Sequence, residues 1–541
     1  MTLPRTVSDV VTEHTVFEIE SVDRMYLNVY VPQLQYPAGI VGYVHRQLDL
    51  PIASTAPLGK ITDAFSAAMR RFAVDQGVPW VDFVKGQRKD DVMHGYLAGF
   101  EEAGGTEGVL FIGRAQERTT LFRTEKRRNA EGRSYPWIVK TTGLVNHFYV
   151  YAVDADFGPF FLKFCSYFPY NAKLCVNGNE WAKRQATRAG IDHTALEGGF
   201  ASCADPAALQ AICDQLDAAK IDALLRKWLA ILPHPFTAKD RAAGYRYDVS
   251  ILQAEFSLTH MLDQPRSGRV FFEEVIRENL DIGRPDSVGL IFNRQIRRRG
   301  KNPTPSRFRT RVLTAGVTPS LHVDYKHSKI KQYHKEGRAL RTETTINDTG
   351  DFNIGRRLCN LPALREVGFS ANRRLLDVER LTHDPAIGDG VITAVTTPAV
   401  VGTQRASALP FGTPRTHALL AALLVFGLLP VGFRNRDLRA HLAPLLGLDP
   451  ALMTAGRMSY ELRRLRLHGL IERIPSTHRY RLTDHGLATA IFFTRAHARL
   501  IRPALAELAD PDPPPTGPIR TAFNRLNAQI DRAAQHAHLA A

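Results

Sequence analysis

Cysteine is scarce in this chain, and its spacing argues against the usual uses of a cysteine cluster. Five cysteines are spread over 541 residues, and no two of them form a Cys-x-x-Cys pair. Neither a structural zinc site nor a disulfide framework is therefore expected, and a reducing compartment is the simplest assumption. We accordingly expect a cytoplasmic protein.

Long apolar runs are also missing. The most apolar stretch, HALLAALLVFGLLP at 417–430, is too short to span a bilayer and predicts a buried helix. The first residues, MTLPRTVSDVVTEHTVFEIE, carry acids and no apolar segment, so no signal peptide is expected. No glycine-rich phosphate loop, Ser-His-Asp order or zinc-ligand spacing is present. We expect no membrane partner and no enzyme that depends on these motifs.

Acidic residues are too few to balance the basic ones. The chain has 70 Lys and Arg against 54 Asp and Glu, a net charge of +16. Such an excess indicates a polyanionic partner, DNA or RNA, with an acidic membrane surface as a weaker second choice. Hydrophobic residues at 44% and a length of 541 residues fit a globular chain of several domains.

The order of periodic segments predicts an α+β multidomain protein. It has a mixed α/β N-terminal region, a basic central β region and a C-terminal winged helix. The predicted divisions are 1–135 (mixed α/β), 136–290 (β-hairpin unit plus helical region), 291–383 (basic, β-rich), 384–416 (linker), 417–510 (winged helix-turn-helix) and 511–541 (Pro-rich linker and terminal helix). In the first division AGIVGYV is predicted to be a strand, and the alternation of strands and helices is compatible with a parallel sheet. No internal repeat of useful length is evident.

The segment after residue 453 has the most specific pattern in the chain. Thr454 is a favourable N-cap, and Met458, Leu462 and Leu465 recur at helical spacing, which predicts a core-facing stripe. Two short strands around a Ser-Thr-His tip and a further helix start follow. The remaining positions of the helix are polar and carry four arginines.

This order of elements resembles a winged helix-turn-helix domain of the MarR and ArsR kind, over roughly 80 residues. The resemblance implies that the third helix enters the major groove and that the wing touches the backbone or the minor groove. The implied contacts are Arg457, Ser459, Tyr460, Arg463 and Arg464 on the helix, and Arg473, His478 and Arg479 on the wing. A protein-docking module with a solvated basic face remains the alternative.

The region from 294 to 341 concentrates the positive charge. It holds fourteen Lys and Arg residues and two acids, so most of the net charge lies within it. Cations at this density predict strong, salt-sensitive binding to phosphates, and interleaved Tyr and His side chains can stack on unpaired bases. The predicted contacts are Arg297, Arg298, Arg299, Arg307, Arg309, Arg311, Lys326, Lys329, Lys331, Lys335 and Arg341.

The stretch IKQYHKEGRALRTET is predicted to form a hairpin at the edge of this region. Alternation places Lys331, Tyr333 and Lys335 on one face of a strand, and Arg341 with Glu343 on one face of the next. The pattern is loosely similar to a strand pair of rolling-circle replication initiators, which nick DNA with a tyrosine beside a metal ion.

That resemblance implies Tyr333 as the nucleophile and Glu343 as a metal ligand, with Asp348 as a further candidate. The sequence departs from the family, whose metal ligands form a His-hydrophobic-His strand. Here the His-x-His triplet is 536–538, in a polar terminal helix. The alternative is that Glu343 is the ion-pair partner that orders Arg341.

A second group of candidate catalytic residues lies at VDADFGPFFLK. Asp154 and Asp156 flank a predicted tight turn, and Lys163 follows on the next strand. Two carboxylates and a lysine across a hairpin can bind Mg²⁺ and hold a phosphate. The alternative is turn chemistry, since Asp commonly bonds its own backbone in turns.

These patterns together predict a nucleic-acid-binding protein that acts on DNA, of the mobile-element or replication-initiation type. This step is an analogy at the level of fold and module order. Two alternatives stay open: a metal-dependent nuclease or nicking enzyme, with Mg²⁺ as its cofactor, and a protein that binds structured RNA.

Overall fold

The computed structural model describes residues 7–84, 86–279, 308–313, 320–335, 338–383, 389–424 and 431–497, residue 501 and several positions between 521 and 532. Four of the predicted nucleic-acid contacts lie outside these residues, namely Arg297, Arg298, Arg299 and Arg307. For Arg309, Arg311 and Lys335 the backbone is described and the side chain is not. Most of the predicted region 511–541 also lies outside the described residues.

Helices and short strands surround a set of long strands. The elements up to the middle of the chain are α1 (Val7–His14), β1 (Thr15–Tyr30), α2 (Pro37–Arg46), α3 (Ala56–Asp75), β2 (Trp80–Asp82), α4 (Lys89–Glu102), β3 (Gly108–Arg128), β4 (Ser134–Asp154), β5 (Gly158–Cys165), β6 (Ala172–Asn177), α5 (Gly178–Arg188), β7 (His193–Leu196), β8 (Gly199–Cys203), α6 (Pro206–Asp214), α7 (Ala218–Ile231) and α8 (Ala238–Ala242). The later elements are β9 (Asp248–Leu262), α9 (Pro265–Asn279), β10 (Phe308–Leu313), β11 (Ser320–Tyr325), β12 (Ser328–Lys335), β13 (Ala339–Ile346), α10 (Leu361–His383), α11 (Asp389–Thr396), β14 (Ala399–Val401), β15 (Gln404–Ala406), α12 (Pro414–Leu424), α13 (Asn435–Leu445), α14 (Ala455–Leu467), β16 (Ile471–Arg473), β17 (Tyr480–Leu482) and α15 (Asp484–Ala496).

Eleven of the described strands form one sheet, in the order β10-β11-β12-β13-β9-β1-β6-β5-β4-β3-β2. Only the short β2–β3 pair is parallel among these strands, so the sheet is essentially antiparallel. The predicted strand AGIVGYV is instead part of α2. Pro37 occupies the first turn of that helix, and Ile40, Tyr43 and Val44 are buried at helical spacing, so the packing favours a helix.

The two halves of the sheet repeat the same order of elements. Each half starts with a long strand, β1 or β9, and continues through at least one helix. A four-stranded antiparallel meander follows, β3–β6 or β10–β13, whose last strand returns to pair with the first strand. A helix, α5 or α10, comes next. Since β1 and β9 pair antiparallel at the centre, the order of strands is nearly palindromic. The sequence did not predict this internal repeat.

The sheet also crosses the predicted domain boundaries. β1, β9 and β13 come from the first three predicted divisions and lie side by side. The predicted linker 384–416 contains α11 and the β14–β15 hairpin, which contacts α14. In the described part of the chain, this segment is therefore folded structure.

Helices cover one face of the sheet with a large common core. On that face Phe65 of α3 packs edge-on against Phe148 of β4 and Phe164 of β5. The opposite face has a smaller core under α4, formed with Phe111, Tyr149 and Tyr151. Each helix of the described residues is too short or too polar to cross a membrane.

Among the described residues between 414 and 496, three helices are followed by a two-stranded hairpin and then by α15. A bridge between Phe433 and Tyr480 adds a third short segment beside the hairpin. Thr454 caps α14 by accepting from the backbone N–H of Arg457, as predicted. The predicted core stripe of Met458, Leu462 and Leu465 is also confirmed, because all three are at most 1% exposed.

Candidate nucleic-acid interface

The outer face of α14 carries three exposed arginines. They are Arg457, Arg463 and Arg466, and their guanidinium groups have no hydrogen-bond or ion-pair partner among the described residues. Tyr460 is 48% exposed, and its hydroxyl lies 2.8 Å from the hydroxyl oxygen of Ser407. Because the stripe of apolar residues turns inward, this face presents its charge to solvent. It can therefore reach an external polyanion.

Two of the predicted contacts in this unit serve inside it instead. Arg464 donates to the backbone carbonyls of Ser407 and Ala408 and pairs with Glu461 at 3.3 Å. Arg479 donates to the carbonyls of Val431 and Gly432. Their guanidinium groups hold loops in place.

The other predicted residues of this unit stay accessible or partly so. The Ser459 hydroxyl donates to the carbonyl of Ala455 at 3.0 Å and accepts from the Nδ2 of Asn435 at 3.0 Å. Arg473 is exposed and donates from its Nε to the carbonyl of Thr477 at 2.8 Å, and His478 is exposed at the tip of the hairpin. Arg473 and His478 therefore project from the β16–β17 hairpin.

The lysines of the predicted central patch are only partly available. Lys329 is exposed, whereas Lys331 is half-buried with its Nζ 4.0 Å from the ring centroid of Tyr333. Lys326 donates from its Nζ to the carbonyl of Asp351 at 2.9 Å. Among the predicted contacts of this patch whose side chains are described, Lys329 is therefore the most exposed.

Arg341, another predicted contact, is buried and pairs with Asp23. Asp23 lies where a bulge shifts the register of β1 against β9, and its Oδ1 accepts from Ser257 Oγ at 2.7 Å and Asn179 Nδ2 at 2.8 Å. Arg341 donates to the other oxygen of Asp23 and to the carbonyl of Gly198. This guanidinium is thus committed to the interior, where it cannot contact an external phosphate.

The structure also relates the two residues predicted for DNA nicking. Glu343 Oε2 lies 3.5 Å from Nε of Arg341 and accepts from the Tyr333 hydroxyl at 3.1 Å. Glu343 therefore lies within ion-pair distance of Arg341, as the alternative for Glu343 expects. Burial, followed by the Glu343 charge, raises the pKa of Tyr333 well above its ordinary value, so the phenol stays protonated. A protonated phenol is a poor nucleophile.

The predicted Asp154–Asp156–Lys163 group is not assembled. Asp154 Oδ1 accepts from the backbone N–H of Asp156 at 2.8 Å and of Phe157 at 3.1 Å, as turn chemistry predicts. Its Oδ2 accepts from Trp228 Nε1 and Lys227 Nζ, both at 2.8 Å.

The other two members of that group have different partners. Asp156 pairs with Arg188 on α5. Lys163 lies opposite Tyr149 in the β4–β5 register, whereas Asp154 lies opposite Gly158 at the turn. The lysine is thus five positions further along β5, and its ammonium pairs with Glu117.

One group of side chains has the donor atoms for a cation. Ligand atoms of His327, Asp348 and Asp351 all lie within 4.8 Å of one another. The carboxylate of Asp351 already accepts from the backbone N–H of His327 and the hydroxyl of Ser328. Asp348 accepts from the N–H of Gly350 and lies 3.2 Å from the guanidinium of Arg356. A cation there would compete with these partners.

The long β3–β4 hairpin is a cationic element that the sequence reasoning did not propose as a contact. Between 114 and 140 it carries eight Lys and Arg residues and three Glu residues. Trp137 is 45% exposed and Tyr135 is 38% exposed near its end, and Arg127 lies 4.9 Å from the Trp137 ring centroid. A count of charge along 114–140, combined with strand alternation, would have indicated this surface.

Comparisons with known proteins add no relative for this chain. No protein-family model matches it, and neither the curated proteins nor the solved structures contain a match.

Proposed function

We propose that this protein binds DNA through the exposed face of α14, with the β3–β4 hairpin as a second cationic contact. Proteins of the mobile-element or replication-initiation type have this plan: a basic region binds the DNA strands, and a small domain recognises the target site. Three helices followed by a hairpin match the expected order of a winged helix, whose third helix enters the major groove.

The observation that carries the proposal is the difference among the arginines of α14. Arg464 has carbonyl and carboxylate partners within the protein. Arg457, Arg463 and Arg466 are exposed on the same helix and have no such partners among the described residues. Unpaired cations spread over the exposed side of one helix support electrostatic binding to phosphates and hydrogen bonding to guanine edges.

The test compares duplex DNA, single-stranded DNA and folded RNA of equal length over a salt series. The variant Arg457→Gln/Arg463→Gln/Arg466→Gln removes three charges from α14. We expect the wild type to prefer the duplex, and we expect the variant to bind it more weakly with a salt slope smaller by about three.

The matched control removes three exposed arginines elsewhere, Arg71→Gln/Arg266→Gln/Arg269→Gln. Equal weakening in the control would show that net charge, and not α14, governs binding. A preference for folded RNA would support the structured-RNA alternative. If the wild type binds none of the three polymers, the proposed function is wrong.

A Mg²⁺-dependent nuclease is the second candidate function, and the His327–Asp348–Asp351 group favours it. The same binding reactions, repeated with Mg²⁺, are resolved on a denaturing gel. Loss of cleavage in Asp348→Asn with binding retained would support this group as the cation site. Loss of cleavage in Glu343→Gln, but not in Asp348→Asn, would transfer that role to Glu343. Intact strands in the wild type would leave a binding protein.

A further inference from the structure

A polar cavity lies at the base of the β3–β4 hairpin, beside strands β1, β5 and β6. It has a volume of about 230 Å³. Its lining includes Lys140, Lys163 and Lys173, together with Asn28, His147 and Asn171, and it contains no carboxylate side chain. The wall therefore offers hydrogen-bond donors and positive charge.

The strand register brings two of these lysines together. Lys163 of β5 and Lys173 of β6 are direct cross-strand partners, and Lys173 is in turn opposite Asn28 of β1. Like charges directly opposite each other destabilise an antiparallel pair. An anion between the two ammonium groups would replace this repulsion with attraction.

The acid that pairs with one of these lysines is already shared. Glu117 accepts from Lys163 and from the hydroxyl of Tyr149, and it also pairs with Lys89 at 3.0 Å. Lys140 and Lys173 have no carboxylate within ion-pair distance among the described residues, and Lys173 Nζ lies 5.1 Å from the ring centroid of Tyr26. The positive charge around the cavity therefore exceeds the negative charge.

Burial, with a smaller contribution from the neighbouring lysines, shifts the pKa values of two groups that line the cavity. Burial lowers the pKa of Lys163, with the Glu117 carboxylate opposing the change and Lys173 and Lys89 adding to it. Burial and the Lys163 charge lower the pKa of His147 to about 4, so its imidazole is neutral near pH 7. Lys140 and Lys173, which have no carboxylate partner among the described residues, and Lys163, which shares Glu117, give the site hydrogen-bond donors and a net positive charge.

We propose that this cavity binds a phosphate group. Pockets that bind whole small molecules usually have volumes of about 300–1,000 Å³, so a cavity of about 230 Å³ suits a phosphate with part of its sugar. Lys140 lies on the cationic β3–β4 hairpin, and we therefore assign the phosphate to a nucleic-acid backbone that follows this hairpin. That assignment of the source rests on the proposed function, whereas the phosphate chemistry itself does not.

The first arm of the test measures duplex DNA binding over a salt series. Lys173→Gln and Lys140→Gln should each weaken binding about tenfold at low salt and reduce the salt slope by about one. Lys220→Gln, on α7, makes the same charge change outside the cavity and should leave both quantities unchanged. Lys140 is exposed, so its variant tests the site even if Lys173→Gln lowers stability.

The second arm uses pyrophosphate and inorganic phosphate without nucleic acid. Either anion should raise the melting temperature of the wild type and of Lys220→Gln, and should have little effect on Lys173→Gln and Lys140→Gln. Effects in both arms support a backbone phosphate. An effect in the second arm alone supports a phosphate site filled by a free phosphate compound, even if the protein binds no DNA. Unchanged behaviour of both cavity variants in both arms would overturn the proposal.

Discussion

Arg341 and Asp23 are 318 positions apart in the chain and form an ion pair inside the central sheet. Arg341 is 5% exposed and Asp23 is 6% exposed. The pair joins β1, the first strand of one half of the sheet, to β13, the last strand of the other. Desolvation offsets much of the attraction in a buried ion pair. The effect of the pair on stability is therefore measured best by removing one partner, which leaves the other charge buried and unpaired.

We expect Arg341→Met to lower the free energy of unfolding by about 3–5 kcal/mol, because Asp23 would be left as a buried, unpaired charge. The double variant Asp23→Asn/Arg341→Met should recover part of that loss. Urea denaturation measures both changes. The exposed neighbour Arg338→Gln is the control and should change stability by less than about 0.5 kcal/mol. A single variant as stable as the wild type would contradict the prediction.

Glu379 should make the protein less stable as the pH rises, whereas most acidic residues in folded proteins have the opposite effect. Burial raises the pKa of this carboxyl from 4.5 to about 8, although the Nε2 of Gln332 donates to it at 2.9 Å. Between these two values the folded protein holds a proton that the unfolded chain releases. The contribution is thus fully present below about pH 4.5 and is lost as the pH rises through about 8.

The variant Glu379→Gln should remove this part of the pH dependence. It should therefore gain stability relative to the wild type between about pH 5 and about pH 8.5. Free energies of unfolding measured at these two values test the prediction. Parallel curves for the variant and the wild type would show that Glu379 does not change its protonation between them.

We expect Asp154 to contribute to stability and not to catalysis. Asp154→Ala removes the acceptor of two turn N–H groups and of the Trp228 indole, and should cost about 1–3 kcal/mol of stability. Asp156→Ala breaks an exposed pair with Arg188 and should cost less than about 1 kcal/mol. Denaturation combined with DNA binding distinguishes the roles. Loss of Mg²⁺-dependent cleavage in Asp154→Ala at unchanged stability would contradict this prediction and support a catalytic role for Asp154.

Trp137 should contribute to the binding of single strands. Its ring is exposed near the end of the β3–β4 hairpin, and stacking on an aromatic side chain contributes about 1–3 kcal/mol per base. We expect Trp137→Ala to weaken binding of labelled single-stranded DNA by this amount in fluorescence anisotropy. Leu144→Ala, on the same strand and 65% exposed, is the control without a flat π face. Equal losses in both variants would argue against stacking.

The correct predictions from sequence depend on local signals. The β4–β5 hairpin and the capped α14 were both recognised, because turn residues, periodicity and an N-cap act within a few positions. The Asp154 turn and the Arg341–Glu343 pair were among the stated alternatives for the same reason. In each case the interacting groups are close in the chain.

The features that were not predicted from the sequence depend on pairing between strands that are far apart in the chain. The sequence by itself determined the basic excess, the antiparallel β4–β5 hairpin and the stripe that buries one face of α14. Only the tertiary structure placed Arg341 beside Asp23, Lys163 opposite Lys173 and β1 beside β9. The local sequence pattern indicates whether a side chain will be buried. Its interaction partner depends on which strands lie next to each other in the folded sheet. Arginines therefore form internal contacts at Arg341 and Arg464 but are exposed to solvent at Arg463 and Arg466.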